Sequence, residues 1–127
     1  MDAGVVMIIL TLLSGGGVSS TFVNIDTRDE CLERLERIRP VLESGETKLK
    51  EAGCFYGSAQ FDDFDHSMPE GAPRYSFLVS LDGERALIRK HLSVEDCAKT
   101  LEKLPKANAG QKNYCTTSTQ DLIAHGG

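Results

Sequence analysis

Thr27-Arg-Asp-Glu-Cys31-Leu-Glu-Arg-Leu35-Glu-Arg-Ile38 returns 66 positions later as Ser93-Val-Glu-Asp-Cys97-Ala-Lys-Thr-Leu101-Glu-Lys-Leu104. A hydroxyl, two acids, a cysteine and a leucine keep their register. Each copy opens as a helix does. Thr27 and Ser93 suit the N-cap, where a side-chain oxygen accepts a backbone N–H bond, and Glu30 and Asp96 fall at the third helical position, as in a capping box. The first-turn acids also face the positive end of the helix dipole. In the first copy Leu32, Leu35, Ile38, Val41 and Leu42 recur at helical spacing. Pro40 is expected to kink or divide this helix and Gly45 to end its first section, with Thr47 to Ala52 adding another turn. The second stripe, Cys97, Leu101 and Leu104, is shorter and stops at Pro105.

Beyond each helix the chain passes through glycine and reaches a short segment with a further cysteine, Cys54-Phe-Tyr56 or Asn113-Tyr-Cys-Thr-Thr117. Aromatic and β-branched residues there predict strands. Tyr75-Ser-Phe-Leu-Val-Ser-Leu81 alternates, Asp82-Gly83 supplies a tight turn, and Ala86 to Leu92 runs back, which predicts a hairpin. Thr21-Phe-Val-Asn-Ile25 is the corresponding strand before the first helix. The predicted unit is strand, capped helix, strand, present twice and each time with a disulfide. The fold class expected is α+β: a small mixed or antiparallel sheet with two helices on one face, preceded by an N-terminal hydrophobic segment. Ser118 to Gly127 carries few large apolar residues and is expected to fray.

Four cysteines allow three pairings, and the repeat favours Cys31 with Cys54 and Cys97 with Cys115. Each bridge closes a loop of order 20 residues, which in the chain-entropy model stabilises by about 3 kcal/mol. Small domains bury proportionally less surface, so such crosslinks weigh heavily here. Zinc sites bring cysteines in close pairs, and no two here lie that near. A helix N-terminus would activate Cys31 or Cys97 as a thiolate only if either were free. The expected role of all four is structural.

Val5-Val-Met-Ile-Ile-Leu-Thr-Leu-Leu13 is the most apolar run of the chain. Three readings compete. A secretory leader has an apolar core here and small residues at Gly15-Gly-Gly-Val-Ser-Ser20, but Asp2 is the only charge before the run. A membrane anchor over residues 3–23 is long enough to span the hydrocarbon as a helix. A buried strand or helix of a soluble domain is the third. The expectation is the anchor or leader, with residues 1–25 as hydrophobic segment and Gly-rich linker and 26–127 as the disulfide-stabilised globular domain.

The net charge of −5, with both signs interspersed, argues against a nucleic-acid partner, which needs a basic patch. Arg28, Arg34, Arg37 and Arg39 are matched by Asp29, Glu30, Glu33 and Glu36, as on a solvated helix face. The Gly15-Gly-Gly stretch lacks the lysine and the glycine spacing of a phosphate loop. His66, His91 and His125 show no triad-like neighbours. The one local cluster of polar candidates is Phe61, Asp62, Asp63, Phe64, Asp65 and His66, read as an exposed, partner-binding loop, with a divalent-cation site and a solvated loop whose aromatics fold back on the core as the alternatives.

No cofactor or metal is expected. The leading expectation is a non-enzymatic, extracytoplasmic protein-binding or structural accessory subunit, held to a membrane and part of a larger membrane, envelope or virion assembly. The alternative is a free secreted or periplasmic effector or inhibitor. A small enzyme built on Asp62, Asp65 and His66 is a third class.

Overall fold

The apolar run at the start of the chain is a strand, β1 (Gly4–Leu12), with every residue from Val5 to Leu10 buried. The computed structural model describes residues 4–45, 47–62, 73–104 and 111–124. After β1 come β2 (Val18–Ile25), α1 (Arg28–Ser44), β3 (Lys48–Gly57) and β4 (Gln60–Phe61). Then follow β5 (Tyr75–Asp82), β6 (Arg85–His91), α2 (Val94–Lys103), β7 (Gln111–Ser118) and β8 (Leu122–Ala124).

A strand can be apolar on both faces only if both are covered. Here Val6, Ile8 and Leu10 point into one cluster with Phe22, Phe55, Phe61, Phe77, Val79, Leu81 and Ile88. Val5, Met7 and Ile9 point the other way, into a cluster with Ile25, Cys31, Leu35 and Cys54 under α1. The first cluster fills a closed six-stranded barrel of order β1-β2-β7-β5-β6-β3. The run expected as a helical membrane anchor is a strand instead: it was read as one-dimensional hydrophobicity, whereas its alternate residues serve two cores. Among the described residues no helix is long and apolar enough to cross a membrane, which says nothing of strands.

The sheet is mixed and has no single helical face. β1 pairs antiparallel with β2 and β3, and β5 pairs antiparallel with β6 and β7. Two short parallel seams join these three-stranded halves. One consists of Val18 with Thr116 and Ser19 with Thr117, the other of Tyr56 with Arg85. Helix α1 packs against β3, β1 and β2, and α2 against β7, β5 and β6, so both lie outside the barrel on different sectors.

Both expected N-caps are present. The Thr27 hydroxyl accepts from Glu30 N–H at 3.1 Å and the Ser93 hydroxyl from Asp96 N–H at 3.0 Å. Cys31–Cys54 and Cys97–Cys115 are disulfides, with Cα separations of 6.0 and 5.9 Å. Each ties the first turn of a helix to the strand beneath it. Such bonds persist in an oxidising, extracytoplasmic or secreted setting.

Three local expectations differ. Helix α1 runs through Pro40 without dividing; the proline lies on the exposed side, where water can take the carbonyl left without its donor. Lys48 to Gly57 is a strand, so no extra helical turn forms over Thr47 to Ala52, because pairing with β1 overrides a weak local preference. The stretch from Ser118 to Leu122 is built in, with Gln120 1% exposed and Leu122 packed against the core, while the last three residues lie outside the described residues.

Candidate functional site

Strand β6 has two characters. Ala86 and Ile88 turn into the barrel, while Arg85, Leu87 and Arg89 face outward, exposed. Leu87 is 52% exposed, a large apolar side chain between two arginines. This stripe forms one wall of a groove of about 1020 Å³. The other walls are Asp26, Thr27 and Arg28 at the start of α1, Tyr56 to Ser58 at the end of β3, Ser80 and Asp82 on β5, Gln111 and Asn113 on β7, and Leu104 after α2. Leu78, 2% exposed, lies at its base.

The groove exists because the two helices differ in length. Helix α1 has 17 residues and covers the outward residues of β1 down to Ile9. Helix α2 has 10, and its only buried residue is Cys97. The strand surface beyond it is more polar, with Ser80 and Asn113 at the positions where the first half has Ile9 and Ala52, and Asp82 and Gln111 beyond them. Asn113 Oδ1 is buried without a hydrogen-bond partner among the described residues.

Three arginines against two aspartates line this groove, on a chain whose net charge is −5. Arg28 is partly committed: Nε donates to the Cys54 carbonyl at 3.4 Å and Nη1 meets Glu84 at 3.3 Å. Arg85 and Arg89 have no ion-pair partner among the described residues. Positive, donor-rich arginines flanking an exposed leucine suit carboxylates and an apolar side chain on a protein surface.

A second groove, of about 450 Å³, continues along the free edge of β6 between Ser58–Ala59 and residues 86–90. Strand β3 ends at Gly57, so the seam with β6 holds one ladder pair, and Tyr56 N–H donates to the Glu84 carbonyl at 2.8 Å. Gly57 permits that approach, since a Cβ there would stand 2.8 Å from the Ala86 oxygen.

The acidic cluster expected to meet a partner is divided. Phe61 is corrected as a partner-facing residue and follows the alternative in which the aromatics fold back on the core: it is 5% exposed, stacks on Phe22 with ring centroids 3.9 Å apart and meets Phe77 edge-on. Its apolar ring fills the end of the barrel. Asp62 is exposed, and its side chain accepts from Asp121 N–H while its carbonyl accepts from Gln120. Asp63, Phe64, Asp65 and His66 lie outside the described residues.

Other polar groups have structural partners. His91 Nδ1 lies 2.8 Å from Asp96 Oδ2, and that hydrogen bond holds Asp96 below the usual carboxylate range. Asp121 is likewise held low by its hydrogen bond from Lys90, at 2.7 Å. Tyr114 donates to Glu51 at 2.8 Å, and burial, then that carboxylate, push its hydroxyl up to about 12. All four cysteines are oxidised. Among the described residues no three His, Cys, Asp or Glu side chains are grouped to hold a metal.

The arginine–leucine stripe was missed in sequence. Its signal was present as the alternation Arg85-Ala-Leu87-Ile-Arg89 on a predicted strand, with the apolar Ile88 facing one way and both charges the other. Comparison with protein-family models, with characterised proteins and with solved structures finds no match to this chain.

Proposed function

We propose that this is a non-enzymatic, secreted or periplasmic protein-binding domain that meets its partner through the outward face of β6. The observation that carries the reading is the stripe Arg85, Leu87 and Arg89, held on a paired strand and flanked by a groove. A rigid strand presents such side chains without further ordering, which favours recognition. The free effector class is preferred to a membrane-held accessory subunit, because the run read as an anchor supplies the strand that both cores are built on.

We also infer that the two halves are copies of one hairpin, helix, strand unit. Register supports this. Met7 opposite Cys54 corresponds to Leu78 opposite Cys115, and the seam pair Tyr56 with Arg85 corresponds to Thr117 with Ser19. The longer helix then builds one half and the shorter helix opens the other for binding.

The test is capture by the immobilised, oxidised protein from an extracytoplasmic fraction. Wild type and an Arg37→Glu control on α1 should retain the same polypeptide, and Arg85→Glu with Arg89→Glu should lose it. Equal capture by both variants, or none by wild type, overturns the reading.

A further inference from the structure

Helices α1 and α2 stand on opposite sides of the barrel. Around the ring, β3 under α1 and β7 under α2 are three places apart in either direction, with β6 and β5 between them one way and β1 and β2 the other. The chain treats these two sectors differently. By register, Ser19, Thr21 and Val23 on β2 hold the places that Arg85, Leu87 and Arg89 hold on β6. The β2 residues are half-buried. Beside them Arg74 Nη2 donates to the Ser19 hydroxyl at 2.7 Å and to the Thr117 carbonyl at 2.9 Å, and the Gln120 amide exchanges bonds of 2.8 and 2.7 Å with the main chain of Phe22. The β6 residues are all exposed.

Main-chain groups decide what form an occupant of the β6 sector takes. At Arg85 one edge of β6 is taken by Tyr56 of β3, and the other edge pairs with β5 from Arg85 to His91. An extended segment laid across the outward face would find no strand edge there, and its own N–H and C=O groups would be covered without partners. A helix bonds its main chain internally and offers side chains alone. The dimensions agree. Arg85 to Leu87 and Leu87 to Arg89 are each about 6.6 Å along a strand, at about 3.3 Å per residue. Four residues of helix advance about 6.0 Å. Positions i, i+4 and i+8 of a helix lying along β6 therefore fall over Arg85, Leu87 and Arg89 in turn.

The geometry points to the outward face of β6 as a helix-docking groove: it takes an amphipathic helix of a partner protein with two apolar residues one turn apart and a carboxylate one turn further on. The inference rests on the protein-binding reading above and specifies the form of the partner. The order of the three side chains follows from the floor of the groove. Exposed Tyr56 stands beside Arg85, whose charge is offset by Asp82 opposite it on β5 and by Glu84 before it in the chain, so this end takes an apolar residue. Leu87, with Leu78 at the base of the groove, takes the second. Arg89 stands opposite Leu78 and makes no ion pair among the described residues, so it takes the carboxylate. This order also sets the direction of the helix. Its negative C-terminal end lies towards Arg89, and its positive N-terminal end towards Asp82 and Glu84.

The experiment uses the intact oxidised protein and the peptide acetyl-Ala-Ala-Gln-Leu-Ala-Ala-Gln-Leu-Ala-Ala-Gln-Glu-Ala-Ala-Gln-amide. One control carries the glutamate on the far face of the helix, acetyl-Ala-Ala-Gln-Leu-Ala-Ala-Gln-Leu-Ala-Glu-Gln-Ala-Ala-Ala-Gln-amide. The other sets proline in place of an alanine between the leucines, which breaks the helix. Affinity is read by titration, bound conformation by circular dichroism and bound position by amide chemical shifts. The parent peptide should bind more tightly than either control, gain helical ellipticity on binding and shift the amides of Leu87 and Arg89. Arg89→Glu should weaken it about tenfold, and a peptide with lysine in place of the glutamate should recover binding to that variant. Arg37→Glu should change nothing. Equal binding of the proline peptide overturns helical docking, as does equal binding of the far-face control, no binding at all, or no recovery with lysine. Capture of a partner that depends on Arg85 and Arg89 would still uphold the protein-binding reading in each of those cases, so the two failures are told apart.

Discussion

Gly57 faces the carbonyl of Ala86 so closely that a Cβ on residue 57 would stand 2.8 Å from that oxygen. The atom in the way is main chain, so no side chain can swing aside. Gly57→Ala should therefore displace β3 from β6 at the seam's single ladder pair and destabilise by about 1–3 kcal/mol. Urea unfolding gives the loss, and faster exchange of the Tyr56 N–H locates it. Gly15→Ala, where a Cβ meets nothing within 4 Å, should be close to neutral.

Gln120 closes the other edge. Its side chain exchanges two hydrogen bonds with Phe22 and gives a third to the Asp62 carbonyl. Gln120→Ala leaves these buried groups without partners and should destabilise by about 2–4 kcal/mol. Thermal unfolding of the variant tests this. A loss no larger than that of a surface substitution would remove the amide from the account of the seam.

The two crosslinks are alike in span, with separations of 23 and 18 residues, and each should contribute about 3 kcal/mol. Their surroundings differ. Around Cys31 and Cys54, helix α1 also buries Leu35 among Val5, Met7 and Ile9, whereas α2 buries only Cys97. Replacing Cys31 and Cys54 by alanine should leave α1 docked and helicity near wild type. Replacing Cys97 and Cys115 should free α2, seen as lost helical ellipticity and fast amide exchange over Val94–Lys103.

Strand β1 lies between β2 and β3 and contributes three buried residues to each of the two cores. The mature oxidised protein should therefore retain residues 4–12, as intact mass will show. A chain begun after Gly17 should lose its near-ultraviolet dichroism. Recovery of a folded, fully oxidised truncate would mean that the barrel does not need this strand.

Alkaline stability should report Tyr114. Its folded pKa is raised from 10.0 to about 12 by burial and by Glu51, so the stability linked to its neutral form is complete below pH 10 and is lost as pH climbs towards 12. Tyr114→Phe should flatten this limb while lowering neutral-pH stability by about 1–2 kcal/mol through the lost hydrogen bond. At the acid end Asp96 and Asp121 have lowered pKa values, so their contribution is present above the ordinary carboxylate value and disappears as pH falls through the folded ones.

Much of this architecture was legible because it is local. The caps at Thr27 and Ser93, the Asp82-Gly83 turn and the alternation of Tyr75 to Leu81 each depend on neighbouring residues, and all occur in the fold. What escaped was decided by distant partners. An unbroken apolar run is ambiguous between a helix in lipid and a strand between two cores, and the second core was visible only once α1 lay over Val5, Met7 and Ile9. Phe61 read as a loop aromatic because its stacking partner, Phe22, stands 39 positions away. The binding stripe escaped for a related reason: nothing near Leu87 in sequence tells that α2 stops short of covering it.

Neither disulfide crosses a seam. Each lies within its own half, so a chain that parts at both seams keeps its hairpins, helices and crosslinks and exposes two complementary edges per half. Those edges fit the matching half of another molecule as well as their own. Reciprocal exchange of halves between two chains would rebuild every contact of the barrel, and its balance against the closed monomer would be governed by concentration.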